Sequence, residues 1–397
     1  MKTLSLLFLA LICALVCPNA YAEEKKYFTN RIEELEKRVK QLESKKPPRP
    51  STSPALRGLP SGSSSATGFS RFFNPAISIN GLLLGTYADQ GRSDSSREVK
   101  TGMKVQEVEL NFTANVDSYI LGNLTIAFED DEVEIEEVIA SLIVTNSLAF
   151  QAGKFFTPFG KHNLLHTHRF PFIDAPLINK EILGDEGINE VGVSTSLLLP
   201  TTWFSEITLQ VLEGDNSLFS GPLNDDFLYL AHWKNLIQLT EELTAELGGS
   251  FAYGKNSLAS GPYNSTTLAG ANMTFKWRPA GRELYRTLIW QSEFINSSRE
   301  VDKKGLYTSL RYHFNRRWWV QGRYDFLTVP RDAVSDDEDR DIAQTKNRYT
   351  GLLAFVPSEF STLRLQYNFL DSSVAENEHQ VLLQLNFTIG SHPAHAY

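Results

Sequence analysis

With 397 residues, 42% of them apolar and 21% charged, the chain carries too much apolar content for wholesale disorder. A formal net charge of −9 and the lack of any long basic run argue against nucleic acid as a partner. The length allows two domains or one large one.

Residues 1–22, MKTLSLLFLALICALVCPNAYA, place a lysine before an apolar run and end on Ala20-Tyr21-Ala22. That pattern predicts a secretory signal peptide with its cleavage site. The apolar run is short for a membrane anchor, and Leu15-Val16 before Cys17 matches a lipoprotein signal poorly. Cys13 and Cys17 both lie in this segment, so the remainder offers no disulfide and no thiolate metal site. No later stretch approaches the ~18 apolar residues of a spanning helix. The rest of the chain is then soluble, or it crosses a membrane as a β-barrel, which satisfies its own backbone in lipid.

Residues 23–47 are charged and helical in pattern. Phe28, Ile32, Leu35, Val39 and Leu42 follow a heptad seam, with Arg31 and Glu36 at flanking positions where they can pair between helices. This predicts a short coiled coil, too short to associate strongly unless something else gathers the chains. Residues 48–71 are rich in Pro, Ser and Gly and read as a flexible linker.

From Phe72 onward apolar and polar residues alternate. In LRLQYNF (363–369), Leu363, Leu365, Tyr367 and Phe369 share one face, and Arg364, Gln366 and Asn368 the other. The same pattern predicts about sixteen strands, near 76–89, 102–115, 118–129, 132–144, 148–156, 190–199, 203–213, 226–235, 240–254, 263–277, 285–297, 304–314, 316–327, 346–356, 359–370 and 379–389. Short and long connections alternate, apart from the one at Asp130-Asp131. A transmembrane antiparallel barrel shows that alternation, with short periplasmic turns and long extracellular loops, whereas a sandwich has no reason to. The termini then fall on the periplasmic side.

An aqueous barrel of this size draws its selectivity from inward-facing charges and from whatever narrows it. The strand phases turn Glu107, Glu109, Glu134 and Glu136 inward on one wall and Arg311, Arg323, Arg348 and Arg364 inward on another. These walls are expected roughly across the barrel from each other, with the arginines presented to anions. The neighbouring pair Glu136-Glu137 suggests a slip or bulge in the fourth strand. Trp203, Trp233, Trp277, Trp318 and Trp319 are expected near strand ends, as in interfacial girdles. No G-x-S-x-G, H-E-x-x-H or P-loop pattern appears, so no enzymatic activity is expected.

The longest connection, 157–189, holds His162, His166 and His168 within seven positions, with Asp174, Asp185 and Glu186 nearby. Two readings stay open. His162, His166, His168 and Asp174 could bind zinc, which accepts imidazole and carboxylate. Alternatively Phe170, Pro171, Phe172 and Pro176 pack the loop against the wall, while Lys161, His162, His166, His168 and Arg169 face the channel and make it sensitive to pH.

FNPAISI (73–79), GKFFTPFGKHNLLHTHRFPFIDAPL (153–177), LGDEGINEVGVS (183–194), LIWQSEF (288–294), RRWWVQGRYD (316–325), PSEFSTLRLQYN (357–368) and the ending HQVLLQLNFTIGSHPAHAY carry a resemblance. Together they resemble Gram-negative outer-membrane porin-like proteins. That group is similar to the phosphate-selective porins and often bears the label "zinc-regulated TonB-dependent outer membrane receptor". A TonB-dependent receptor needs a plug and a 22-stranded barrel, which about 320 residues after Phe72 cannot supply. The resemblance therefore implies a porin-like channel for passive diffusion of small polar or anionic solutes, with a hint of zinc and no resident cofactor. It implies a homotrimer in outer-membrane lipids and a third long loop folded inward as the constriction. It also implies recognition of the last strand and Tyr397 by the barrel-assembly machinery.

Overall fold

A computed structural model describes residue 37 and, from 75 to 390, all residues except 90–100, 130–131, 222, 224–225, 258–264, 282–285, 300–301, 330–343 and 374–376. Lys37, within the expected coiled coil, is helical. The signal peptide, the rest of the coiled coil, the linker and Tyr397 lie outside the described residues.

Sixteen strands form. The first eight are β1 (Ala76–Asp89), β2 (Gly102–Asn115), β3 (Ile120–Glu129), β4 (Glu132–Thr145), β5 (Leu148–Phe156), β6 (Asn189–Leu198), β7 (Phe204–Leu212) and β8 (Leu228–Gln238). The others are β9 (Leu243–Lys255), β10 (Ser265–Trp277), β11 (Leu288–Ser298), β12 (Lys303–Asn315), β13 (Trp318–Val329), β14 (Gln344–Ser358), β15 (Ser361–Ser372) and β16 (Glu378–Gly390). Each pairs antiparallel with its sequence neighbours, and β1 closes on β16 from Ser78↔Gly390 to Asp89↔His379. Closure leaves no strand edge unpaired, the condition for a sheet to stand in lipid.

The period-2 pattern decides which face each residue takes. On β15, Arg364, Gln366 and Asn368 are buried inward, while Leu363, Leu365 and Tyr367 are exposed on the outside. Outward positions on the other strands are likewise apolar, for example Leu83, Val193, Phe251, Leu310 and Leu383. An exposed apolar band of this extent has no place on a water-soluble surface and is what a lipid-facing barrel wall requires.

Three expectations change. The acidic wall (β2–β4) and the basic wall (β12–β15) are not opposite each other, because closure leaves only β1 and β16 between β2 and β15. Trp319 turns into the lumen against the apolar cluster of Phe172, Ile173, Leu352, Ala354 and Leu382, because β13 alternates and Trp318 takes the outer face. Trp233 sits mid-strand on β8 rather than at an end. The anticipated irregularity in β4 is present. The β3–β4 register jumps from Thr125↔Glu137 to Ile126↔Ile135, so Glu136 is the extra residue of a bulge. A second bulge, between Leu82↔Glu107 and Leu83↔Val105, leaves Gln106 as the extra residue on β2.

The outer band yields a test. Leu365→Arg, at an outward position in the middle of β15, should cost about 2–4 kcal/mol, whereas Phe360→Arg, in the turn before β15, should cost about 0–1. Guanidinium titration of the protein in lipid vesicles reads both. Equal costs would mean that this face does not meet hydrocarbon.

Candidate functional site: an inward loop clamped by two charged walls

The connection between β5 and β6 turns into the barrel. Its neck is fastened by Thr157 N–H, which donates to Ile188 O at 3.0 Å. Buried Asn163 reinforces the neck: its Nδ2 donates to Thr157 O at 2.9 Å and Ile188 O at 3.0 Å, and its Oδ1 accepts from Ile188 N–H at 2.9 Å. Gly187 permits this closure, since its φ is +68° and a Cβ there would stand 2.3 Å from Asn163 Oδ1. Gly160, also at φ +68°, lies where a Cβ would meet Glu293 Oε2 at 2.5 Å. Its absence lets Gly160 N–H reach Ser250 Oγ at 2.9 Å, and His162 N–H reach Glu293 Oε1, also at 2.9 Å.

Beyond the neck the loop splits into an apolar part and a polar part. Phe159, Ile178, Ile182, Leu183 and Ile188 pack with Leu218 and Phe219 of the next long connection. Inward residues Leu212, Leu230, Leu268, Ile295 and Leu327 complete one cluster inside the barrel. Each such side chain stabilises by roughly 1.5–3 kcal/mol when fully buried. Phe172 and Ile173 form a second cluster with Leu352, Ala354 and Leu382.

The polar part meets the acidic wall first. His166 Nδ1 lies 2.9 Å from Glu136 Oε2 and 3.4 Å from Glu109 Oε2, and its Nε2 lies 3.2 Å from Glu137 Oε2. The bulge makes this possible, because it presents two consecutive glutamates to one imidazole. His168 Nδ1 lies 2.9 Å from the same Glu109 oxygen. Burial disfavours a charge on His166, but its hydrogen bonds to Glu136 and Glu137 and the charge of Glu109 outweigh that and hold its pKa well above the usual value. On His168 burial wins over Glu109, and the pKa is lowered.

The loop then crosses to the basic wall. Arg323 Nη2 donates to Asp174 Oδ1 and Arg348 Nη1 to Asp174 Oδ2, both at 2.8 Å. Asp325 Oδ2 lies beneath, accepting from Arg323 Nε at 2.8 Å and Arg348 Nε at 3.2 Å. Gln366 and Asn368 also donate to Asp174, at 2.7 and 3.0 Å. The guanidiniums reach the backbone too: Arg348 donates to Ala175 O at 2.6 Å, and Arg364 to Phe170 O, also at 2.6 Å. Burial works against the Asp174 charge, but Arg348 and Arg323 overcome it and hold the carboxyl far below its ordinary range.

Several assignments from the sequence are corrected. The four-residue zinc set is not brought together. Asp174 is engaged by arginines, and His162 is buried against Phe170, ring centroids 4.4 Å apart, with no partner for Nε2 among the described residues. His162 therefore does not face the channel; burial, then the charge of Arg323, pushes its pKa down to about 3 and leaves it neutral. Arg323 and Arg348 are not presented to solutes, because Asp174, Ala175 and Asp325 take their donors; Arg364 borders the open space, but its donors are taken by Gln384 and Phe170. Glu134 stands apart from the other glutamates, paired with Lys154 at 2.9 Å and 42% exposed.

Arg311, Lys161 and Arg169 do line open space. With Lys234, Lys276 and Arg278 they border a cavity of about 640 Å³ at the short-turn end of the barrel, under the loop, a volume typical of a small-molecule site. Lys161 is paired there with Glu246 at 3.0 Å. Lys234 and Lys276 have no carboxylate within ion-pair distance among the described residues. Both were missed in the sequence, although the alternation Asn272-Met273-Thr274-Phe275-Lys276-Trp277 already places Lys276 with the inward polar set. Asn163 and Glu293, which fasten the neck, carried no motif.

A closed sixteen-stranded antiparallel barrel with an apolar exterior and a long loop folded inside is the fold of an outer-membrane porin. Solved structures bear this out. OprB of Pseudomonas putida matches with a TM-score of 0.59 at 10% identity, over 80% of this chain and 94% of that one. An anion-selective porin from Comamonas acidovorans matches with a TM-score of 0.56 at 11% identity, over 79% of this chain and 100% of that one. The outer membrane channel DcaP of Acinetobacter baumannii gives 0.52 at 12% identity, over 82% of this chain and 100% of its own. In sequence, the chain is 28% identical over 350 residues to an uncharacterized protein of Aquifex aeolicus (strain VF5), covering 77% of this chain and 72% of that one. No protein-family profile matches the chain.

Asp174 gives a stability prediction with a definite sign. A carboxylate whose folded pKa is depressed contributes fully above its unfolded value, near 4, and loses that contribution as pH falls through the folded value. The clamp should thus be constant from weakly acidic to alkaline pH and weaken only in strong acid. Asp174→Asn should cost about 3 kcal/mol at neutral pH, the low end for a broken buried pair, because its side chain is still 26% exposed. The loss relative to wild type should shrink below pH 4. Guanidinium titrations at pH 7 and pH 3 check both statements.

Proposed function

We propose that the protein is an outer-membrane channel for passive diffusion of small polar or anionic solutes, narrowed by the inward loop 157–189. The observation that carries this is the basic lining of the cavity beneath the loop. Lys234, Lys276, Arg278 and Arg311 stand on four inward strand ends or turns around open space, opposite Lys161 and Arg169 on the loop. Cations fixed around a low-dielectric passage concentrate anions and repel cations. Glu241, Glu242, Glu246 and Glu359 share the lining, so the passage is moderately rather than purely cationic. The fold shared with an anion-selective porin agrees with this reading.

In this reading the short-turn end faces the periplasm. The predicted coiled coil at 23–47 joins three chains, and the last strand with Tyr397 is the handle for barrel assembly. Three barrels held together raise the local concentration of the short helices enough for them to pair. Deleting 23–47 should then weaken the oligomer on native gels while each barrel keeps its conductance.

Planar-bilayer recording tests the main proposal. The purified, folded protein should pass ion current, and its reversal potential under a KCl gradient should show anion preference. Lys234→Glu/Lys276→Glu should move the reversal potential to the cation side. A folded protein that passes no current, or wild type that already prefers cations, overturns the reading.

A further inference from the structure

We propose that the acidic wall and the two histidines it grips form a binding site for a divalent transition-metal ion, centred on Glu109 and drawing on His166, His168, Glu136 and Glu107. This goes beyond the channel reading and does not depend on it. The residues differ from the set the sequence suggested, because neither His162 nor Asp174 takes part.

Four observations support the site. First, donor atoms of Glu109, Glu136 and His166 lie within 4.8 Å of one another, and so do those of Glu107, Glu109 and His168. The two triads share Glu109, whose Oε2 is 3.4 Å from His166 Nδ1 and 2.9 Å from His168 Nδ1. Donors bound at about 2.0–2.2 Å to one ion stand at such separations. Second, Glu107 is only 1% exposed, and neither of its oxygens has a hydrogen-bond partner of ordinary geometry among the described residues. A buried carboxyl group without a well-formed hydrogen bond, set among other donors, is a group that a cation would satisfy. Third, Glu109, Glu136 and Glu137 alone outnumber the two imidazoles they contact, so even full protonation of both histidines leaves negative charge uncompensated. Fourth, the far nitrogen of His166, Nε2, lies 3.2 Å from Glu137 Oε2. A carboxylate on the second nitrogen is the usual way a ligating histidine is oriented.

The donor set fixes the class of ion. Each triad offers one imidazole with two carboxylates, which suits zinc and its first-row neighbours, whereas calcium and magnesium prefer all-oxygen sites. The histidines come from the loop and the glutamates from β2 and β4, so a bound ion would fasten the loop to the wall. Coordination needs His166 Nδ1 free of a proton, so binding is expected to be coupled to pH.

The test uses the full chain, untagged, folded in detergent micelles, stripped with chelator and titrated calorimetrically with zinc chloride. Wild type should bind zinc, one ion or one for each triad, and magnesium in excess should not displace it. His166→Gln/His168→Gln should abolish binding, His379→Gln should leave it unchanged, and Glu137→Gln should weaken it about 10–100-fold. No binding by wild type, equal binding by the double variant, or displacement by magnesium overturns the proposal. If the double variant fails to fold, as judged by its mobility on unheated gels, zinc-edge X-ray absorption of loaded wild type decides. Imidazole scattering with a nitrogen and oxygen shell at about 2.0–2.2 Å supports the site; an oxygen-only shell overturns it.

Discussion

Everything inside this barrel depends on one constraint: a chain segment without regular structure, placed inside a protein, must find a partner for each buried backbone N–H and C=O. Helices and sheets solve that problem internally, and the 157–188 connection has only single 3₁₀ turns at His162–Leu164 and Thr167–Arg169 and one π turn at Asn179–Leu183. The wall must therefore supply the partners. Ser250 and Glu293 accept from the backbone of residues 160–162. Gln366 and Asp325 accept from the N–H groups of Ile173 and Leu177. Asn386, Arg364, Gln321, Arg323, Arg348 and Lys303 donate to carbonyls from His168 to Glu181. The inward polar residues that look like pore lining in a strand diagram are largely the hydrogen-bonding surface for the loop.

Charge follows the same logic. The loop offers histidines where the wall is acidic and an aspartate where the wall is basic, so the Asp174 charge, and part of the acidic wall's, is compensated across the contact. A buried charge left alone would cost several kcal/mol, and pairing removes most of that cost. The price is that the two walls no longer act on solutes as an open transverse field. What remains available is the basic fringe below the loop, where Lys234 and Lys276 stand without carboxylate partners among the described residues.

The strands were legible because side-chain direction in a sheet has an exact period of two, and the barrel imposes opposite chemistry on its two faces. That pattern located every strand, with ends displaced by up to three residues, and turned Glu107, Glu109 and the four arginines inward correctly. It also flagged the bulge, since Glu136 and Glu137 cannot both face inward in a regular strand. It failed where a residue's neighbour is distant in sequence. Nothing near Asp174 announces Arg323, about 150 positions away, and nothing near His162 shows that it will be sealed against Phe170 while His166 meets three glutamates. Spacing within a loop does not fix which of its side chains converge; the wall does. Trp319 illustrates the same limit at a strand end, where two adjacent tryptophans must face opposite ways and composition alone does not say which.

The loop's division into two parts bears on how such a device could work. Its apolar stem is fixed by several fully buried side chains and by Asn163 across the neck, so its hold does not vary with pH or ions. The tip between His166 and Ala175 adds to its buried Phe172–Ile173 cluster a dense set of charge pairs and hydrogen bonds to both walls. The stem is thus held by apolar burial and the Asn163 bridge, the tip by contacts to both walls, and the tip lies where the acidic wall, the basic wall and the open cavity meet.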